Sequence, residues 1–360
     1  MQDVPFKKKR LLNGAIPGLR TLGALIALAA ITMAPGCATT PEGEEALLTP
    51  QTPLIWPSPP EPARIYYLKT ISKPDDIGAN KGFLRRVADF ILGPKSDRLI
   101  KPYGVSVDSK GRLIVADTAF KRVHVFDELK KSYISIYDLG RKEAFESPIA
   151  AATDAQDNIY VTDSVAQKVF VFNPKGKLVF SFPAGERPTG IAINSKEGRI
   201  YVTDTASHSI MMYDLNGRET GSFGGRGKNP GQFNYPVDLT IGPNGELYVV
   251  DSLNFRIQIF DSEGKYLSSF GRQGDGTGDF GRPKGIALDR DGHIYVADAL
   301  FDTIQVFDRD GNFLLNFGAL GRSAGTFWLP SGLFIDRGNR IYVSDSYNSR
   351  IQVFEYLGQG

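Results

Sequence analysis

The sequence predicts an all-β fold, a six-bladed β-propeller of four-stranded antiparallel blades closed by an N-terminal strand. Three observations predict it. A short apolar segment ending in Asp recurs as Ile114-Val115-Ala116-Asp117, Tyr160-Val161-Thr162-Asp163, Tyr201-Val202-Thr203-Asp204, Tyr248-Val249-Val250-Asp251, Tyr295-Val296-Ala297-Asp298 and Tyr342-Val343-Ser344-Asp345, at intervals of 46, 41, 47, 47 and 47 residues. Nine residues after each Asp stands an aromatic (Phe126, Phe172, Tyr213, Phe260, Phe307, Phe354). Fifteen residues before it, sixteen in the third copy, stands a proline (Pro102, Pro148, Pro188, Pro236, Pro283, Pro330). A period in this range marks a repeat architecture before any single element is assigned.

Taken in order, the first element is a leader. Lys7, Lys8, Lys9, Arg10 and Arg20 precede an apolar run from Leu22 to Ala34, the layout of an export signal over residues 1–36. The run is short for a membrane span. Cys37, the only cysteine, ends it, so a disulfide framework is excluded. Residues 37–62 hold seven prolines and read as an extended tether; Trp56 within it either docks on the domain or binds a partner. Residues 63–72 alternate as a strand, and residues 73–100 carry Phe83, Leu84, Val87, Phe90 and Ile91 at helical spacing. That helical insertion either packs across the propeller rim or serves as a lid, partner or membrane-surface helix.

Residues 101–360 are the repeats. In the fifth unit, Gly285 to Asp289, His293 to Asp298, Thr303 to Asp308 and Phe313 to Gly318 are short β-rich segments separated by turns such as Asp291-Gly292 and Asp310-Gly311. A lone four-stranded sheet cannot bury both faces, so the units stack around an axis. The sixth unit ends with three strands, and residues 63–72 are the strand available to complete it. That pairing hides both chain-end edges.

Composition narrows the function. The chain has 360 residues, 23% charged and 41% hydrophobic, which excludes a wholly disordered or multi-span membrane protein. Its formal charge of +2 comes from the leader. Without residues 1–36 it has 37 Lys plus Arg against 39 Asp plus Glu, formally −2, which removes the electrostatic motive for nucleic-acid binding.

The pattern Pro-x-Gly-[Val/Ile]-x-[Val/Ile/Leu]-Asp, then Tyr-Val-x-Asp, then Arg-Ile-Gln-x-Phe, seen in Arg256 to Phe260 and Arg350 to Phe354, resembles the NHL repeat over residues 101–360. The resemblance implies the fold and leaves function open, since such propellers include enzymes, RNA binders and adaptors. Trp56 to Leu68 resembles the start of bacterial six-bladed propeller lipoproteins of unassigned chemistry. The end of the leader resembles a lipobox, which implies cleavage before Cys37 and lipidation of its thiol. Ala38 after Cys37 resembles an outer-membrane sorting pattern, so the expected location is the cell envelope, anchored by lipid and facing the periplasm or the surface.

The six repeated Asp residues are expected to bond local backbone amides, since six equivalent positions meet six equivalent needs. The amidating lyases related to NHL proteins hold zinc through histidines converging on the axis. Here His124, His208 and His293 stand at unlike repeat offsets, so no metal and no cofactor is expected. The slot two residues after each repeat proline, expected to face the axis, holds Gly104, Ala150, Gly190, Asp238, Gly285 and Gly332; Asp238 alone breaks the small-residue rule. Beside it stand Tyr103, Ile149, Thr189, Val237, Lys284 and Ser331. Tyr103, Thr189, Asp238, Lys284 and Ser331 are therefore the candidate ligand-binding funnel, against a plain water-filled mouth. Arg122, Lys168, Arg256 and Arg350, five residues after the repeat Asp, form a partial basic ring or merely solvated strand ends. With Phe327 and Trp328 they are the candidate partner-binding residues.

No catalytic triad, nucleophile elbow or phosphate loop is present. The reading is a lipid-anchored propeller, monomeric as a propeller, that binds or scaffolds an envelope protein. The alternative is a metal-independent lyase or hydrolase, or a small-ligand binder, with its site in the funnel.

Overall fold

The chain closes into six antiparallel blades. In this computed structural model residues 53–79, 97–140 and 143–358 are described. The expected leader, Cys37 and the expected helical pattern at 83–91 lie outside them. Blade 1 is Pro102–Val107, Leu113–Asp117, Arg122–Asp127 and Ser132–Ile136; blade 2 is Pro148–Thr153, Ile159–Asp163, Lys168–Phe172 and Leu178–Pro183. Blade 3 is Pro188–Asn194, Arg199–Asp204, Ser209–Asp214 and Glu219–Gly224; blade 4 is Pro236–Ile241, Leu247–Asp251, Arg256–Phe260 and Tyr266–Phe270. Blade 5 is Pro283–Leu288, Ile294–Asp298, Thr303–Phe307 and Phe313–Phe317. Each innermost strand meets that of the next blade, and blade 6 meets blade 1.

Blade 6 contains Pro330–Ile335, Arg340–Asp345 and Arg350–Tyr356 from the C-terminus, and Ile65–Ile71 from the N-terminus supplies its fourth strand. The two ends pair from Ile65 with Tyr356 to Ile71 with Ile351, with a bulge at Leu68 that turns this side chain outward. Ile65 and Ile71 are buried. Within the proline-rich segment, Ile55–Trp56 adds a fifth strand to the same sheet. Its Trp56 ring packs 5.9 Å from Phe317 and 5.8 Å from Phe354, so Trp56 docks on the domain.

The core lies in the seams between blades. In blades 4, 5 and 6 the repeat aromatic meets one ring from the previous outer strand and one from the connector: Phe260 with Phe223 at 4.9 Å and Phe233 at 5.5 Å, Phe307 with Phe270 and Phe280, Phe354 with Phe317 at 5.0 Å and Phe327 at 5.8 Å. Such offset clusters combine large apolar burial with favourable ring geometry.

Each repeat Asp is buried and staples its own connector to its own turn. Asp163 accepts from the backbone N–H groups of Glu146 (2.7 Å), Ser147 (2.8 Å), Val165 (3.2 Å) and Ala166 (3.0 Å). Asp117, Asp204 and Asp298 repeat this pattern. The expected structural role of these carboxylates is what the geometry shows.

Candidate functional site

Every innermost strand carries a bulge just after its proline, where its register against the second strand shifts by one residue. The slot two residues after the proline sits where the neighbouring blade's backbone approaches at the edge of the central cavity. A Cβ on Gly285 would lie 2.1 Å from the Ser331 carbonyl oxygen, and one on Gly332 would lie 2.2 Å from that of Tyr103. At these two positions the next backbone occupies the space a Cβ would need, while Gly104, Ala150, Asp238 and Gly332 of the same slot line the central cavity.

Asp238 fills the same place in blade 4 with a carboxylate. Its Oδ2 accepts the Ile286 N–H of blade 5 at 3.2 Å. Burial pushes its carboxyl up to about 7, against the lowering effect of the Ile286 and Leu239 amides. A carboxyl whose native value is raised costs nothing below the unfolded value near 4, and the cost grows until pH passes about 7. Asp238→Asn, which keeps the acceptor for Ile286, is therefore expected to stabilise the protein at pH 8 by about 1–2 kcal/mol, a figure reduced for the partial exposure of the side chain, and to do nothing at pH 4. Thermal melting of both proteins across this range checks it; parallel profiles would refute the assignment.

Asp238 lines a cavity of about 320 Å³ between the innermost strands, together with Ser106, Ala151, Ile193, Thr240 and Phe334. The Ser106 hydroxyl has no partner there. Tyr103 and Lys284 stand outside this lining, at the mouth. The Lys284 ammonium lies 5.3 Å from the centre of the Tyr103 ring. Burial pushes the Tyr103 phenol up to about 12, with Asp238 adding to it. Burial, with Arg282 and Lys101 nearby, pulls the Lys284 ammonium down to about 8.

The structure thus brings Tyr103, Lys284 and Asp238 together at the neck. Thr189 and Ser331 are turned elsewhere. The Thr189 hydroxyl bonds those of Thr203 and Thr205, both at 2.7 Å, and the Ser331 hydroxyl bonds Ser346 (2.6 Å) and donates to the Tyr103 carbonyl (3.1 Å). Both side chains close seams rather than line the mouth.

The candidate partner residues divide similarly. Phe327 has no exposed surface, being the connector ring of the blade 6 cluster, so no partner reaches it. Arg350 is buried, with Nε 2.7 Å from Asp345 and Nη2 donating to the Ser323 and Thr326 carbonyls. Arg256 repeats these bonds with Asp251, Asn229 and Gln232. Lys168 pairs with Glu143 at 3.1 Å, and Arg122 stacks on Phe120 and Tyr137. The partial basic ring is largely spent on its own blades. Trp328 remains half-buried, 5.6 Å from Tyr347 and beneath Arg322.

Two features escaped the sequence reading. The residue just before the repeat proline is a cation in blades 1, 3 and 5: Lys101, Arg187 and Arg282, all exposed. The second residue after the repeat Asp is apolar and exposed in all six blades: Ala119, Val165, Ala206, Leu253, Leu300 and Tyr347. Both were visible as repeat slots, had every offset from the Asp been tabulated. The three histidines face different neighbours: His124 bonds Tyr133, His208 accepts the Tyr235 N–H, and His293 pairs with Asp289.

A family profile described as "6-bladed beta-propeller" matches residues 142–224 and 238–304, and the NHL repeat profile matches residues 327–354. The chain folds as a six-bladed β-propeller and carries an NHL repeat at residues 327–354. The propeller is similar to Protein brain tumor of Drosophila melanogaster, at 24% identity over 138 residues, 37% of this chain and 13% of that protein. Among solved structures it resembles virginiamycin B lyase from Staphylococcus aureus, with 17% identity, a TM-score of 0.54, and coverage of 71% of this chain and 95% of the lyase. It also resembles an auxiliary nutrient binding protein from Bacteroides thetaiotaomicron, with 14% identity, a TM-score of 0.58, and coverage of 73% and 71%. At these identities the likeness concerns the fold.

Proposed function

We propose that this propeller is a binding module that holds a protein partner over the face bearing the channel mouth, and that lipid on Cys37 keeps it at the cell envelope. The observation that carries the reading is the ring of exposed apolar side chains at one repeat slot. Val165 is 59% exposed, Leu253 40%, Leu300 61% and Tyr347 50%, with Ala119 and Ala206 completing the circle. Scattered apolar residues are ordinary on a surface, whereas here the same slot is apolar and exposed in every blade. The cations Lys101, Arg187 and Arg282 stand in the neighbouring repeat slot, the Lys101 ammonium 5.1 Å from the centre of the Tyr347 ring, so charge complementarity selects a partner that pairs acidic groups with apolar ones.

The test is a cross-linked pull-down of the full-length lipidated protein from detergent-solubilised envelopes. Wild type is expected to capture a stoichiometric partner, Leu300→Glu with Tyr347→Glu to lose it at least about tenfold, and Cys37→Ser to weaken capture. Both rim positions are exposed, so an unchanged melting curve shows that the double variant is folded. Undiminished capture by that variant, or no partner with wild type, would overturn the reading.

A further inference from the structure

The mouth of the channel gathers positive charge in an ordered way. Lys101, Arg187 and Arg282 occupy the slot before the repeat proline in alternate blades, a third of a turn apart around the axis; Ser147, Tyr235 and Leu329 hold it in the other three. The backbone of each cation is pinned at the same depth by the repeat carboxylate of its own blade: Lys101 N–H to Asp117 at 3.1 Å, Arg187 N–H to Asp204 at 2.9 Å, and Arg282 N–H to Asp298 at 2.8 Å. Lys284 stands further in, on the bulge of blade 5, with its ammonium against Tyr103.

Among the described residues none of these four side chains forms an ion pair. The basic residues five places after the repeat Asp behave differently, since Lys168, Arg256 and Arg350 each meet a carboxylate. Holding like charges together at a partly desolvated mouth is unfavourable unless an anion shares it. A nearby carboxylate, Asp238, accepts the Ile286 amide, and burial pushes it up to about 7, so it offsets their charge at most in part. Lys284 is itself half-buried and feels both Arg282 and Lys101.

We propose that this mouth is a polycarboxylate site, in which Lys101, Arg187, Arg282 and Lys284 together hold an anion whose charges are spread over several carboxylates. The inference rests on the partner reading only in naming the acidic groups of that partner; a free polycarboxylate acid would satisfy the same cations. Charges a third of a turn apart suit carboxylates on a chain or branched acid better than a single compact ion, and the two arginines add planar forks that take carboxylate oxygens pairwise.

The probes are citrate, a hexaglutamate peptide and inorganic phosphate, titrated calorimetrically into the full chain at low and high salt. Citrate or hexaglutamate is expected to bind, more weakly as salt rises, and Arg187→Gln with Arg282→Gln is expected to weaken binding about tenfold or more, as is Lys284→Met. Lys196→Gln with Lys265→Gln removes the same charge from exposed sites elsewhere and is expected to leave binding unchanged. Tighter binding of hexaglutamate than of citrate assigns the site to an acidic segment of a partner; the reverse assigns it to a free acid. Phosphate binding as tightly as either, or equal weakening by the control pair, would overturn the proposal. Citrate binding without any captured partner sinks only the partner reading, and a captured partner without anion binding sinks only this one.

Discussion

Deletion of residues 53–72 is expected to abolish cooperative folding of the propeller. The segment contributes Ile65 and Ile71 to the core with no more than 2% of their surface exposed, and packs Trp56 and Tyr67 against the blade 6 aromatics. At about 1.5–2.5 kcal/mol for each buried side chain, these four account for roughly 6–10 kcal/mol, comparable with the whole stability of an ordinary domain. The loss also uncovers the last strand, Arg350–Tyr356, whose outward backbone groups now pair with Ile65–Ile71. An open edge carrying Ile351, Val353 and Phe354 recruits other chains. The variant is therefore expected in the insoluble fraction, with no sharp thermal transition in any soluble remainder. Leu68→Ser, on the exposed bulge of the same strand, is expected to shift the transition by no more than a few degrees. A deletion variant that remains soluble and melts near the wild-type temperature would refute closure by this strand.

Asp345→Ala is expected to be the most damaging single substitution in the repeats. Its carboxylate accepts the Trp328 N–H at 2.8 Å, the Asn348 amide at 2.9 Å, Arg350 Nε at 2.7 Å and the Gln352 amide at 3.1 Å. The Arg350 side chain is only 4% exposed, so removal of its carboxylate leaves a guanidinium with two carbonyl partners and no counter-charge. Breaking a buried pair in this way costs about 3–5 kcal/mol. Asp163→Ala loses only bonds from neutral amides and is expected to cost about 1–3 kcal/mol. Denaturant unfolding of the two variants checks the order. Adding Arg350→Met to Asp345→Ala is expected to recover part of the loss; if both alanine variants are equally destabilised, the charge argument fails.

The repeat chemistry was open to inspection in one dimension. Six Tyr-Val-x-Asp-type segments with fixed offsets dictate six small sheets, each with one polar staple, and a sheet that cannot bury its faces alone must stack. The unpaired strand at residues 63–72 likewise followed from the short sixth unit. Phe327 shows where such reading needed one more step. Phe233 and Phe280 stand 47 residues apart, and Phe327 follows at the same interval, so its burial was encoded as plainly as that of the repeat aromatics.

The amino-acid order by itself determined the blade count, the strand pattern, the role of the repeated Asp residues and the closure by the N-terminal strand, because each follows from periodic burial along the chain. Only the tertiary structure decided which polar residues meet at the axis. Tyr103, Thr189, Lys284 and Ser331 share one repeat slot, but the short hydroxyls of Thr189 and Ser331 are held by partners in the seam, whereas the longer Lys284 and Tyr103 side chains meet each other. The grouping of Lys101, Arg187 and Arg282 belongs there too. Residues 86 and 95 positions apart in sequence share one charge environment because the ring places alternate blades around one axis.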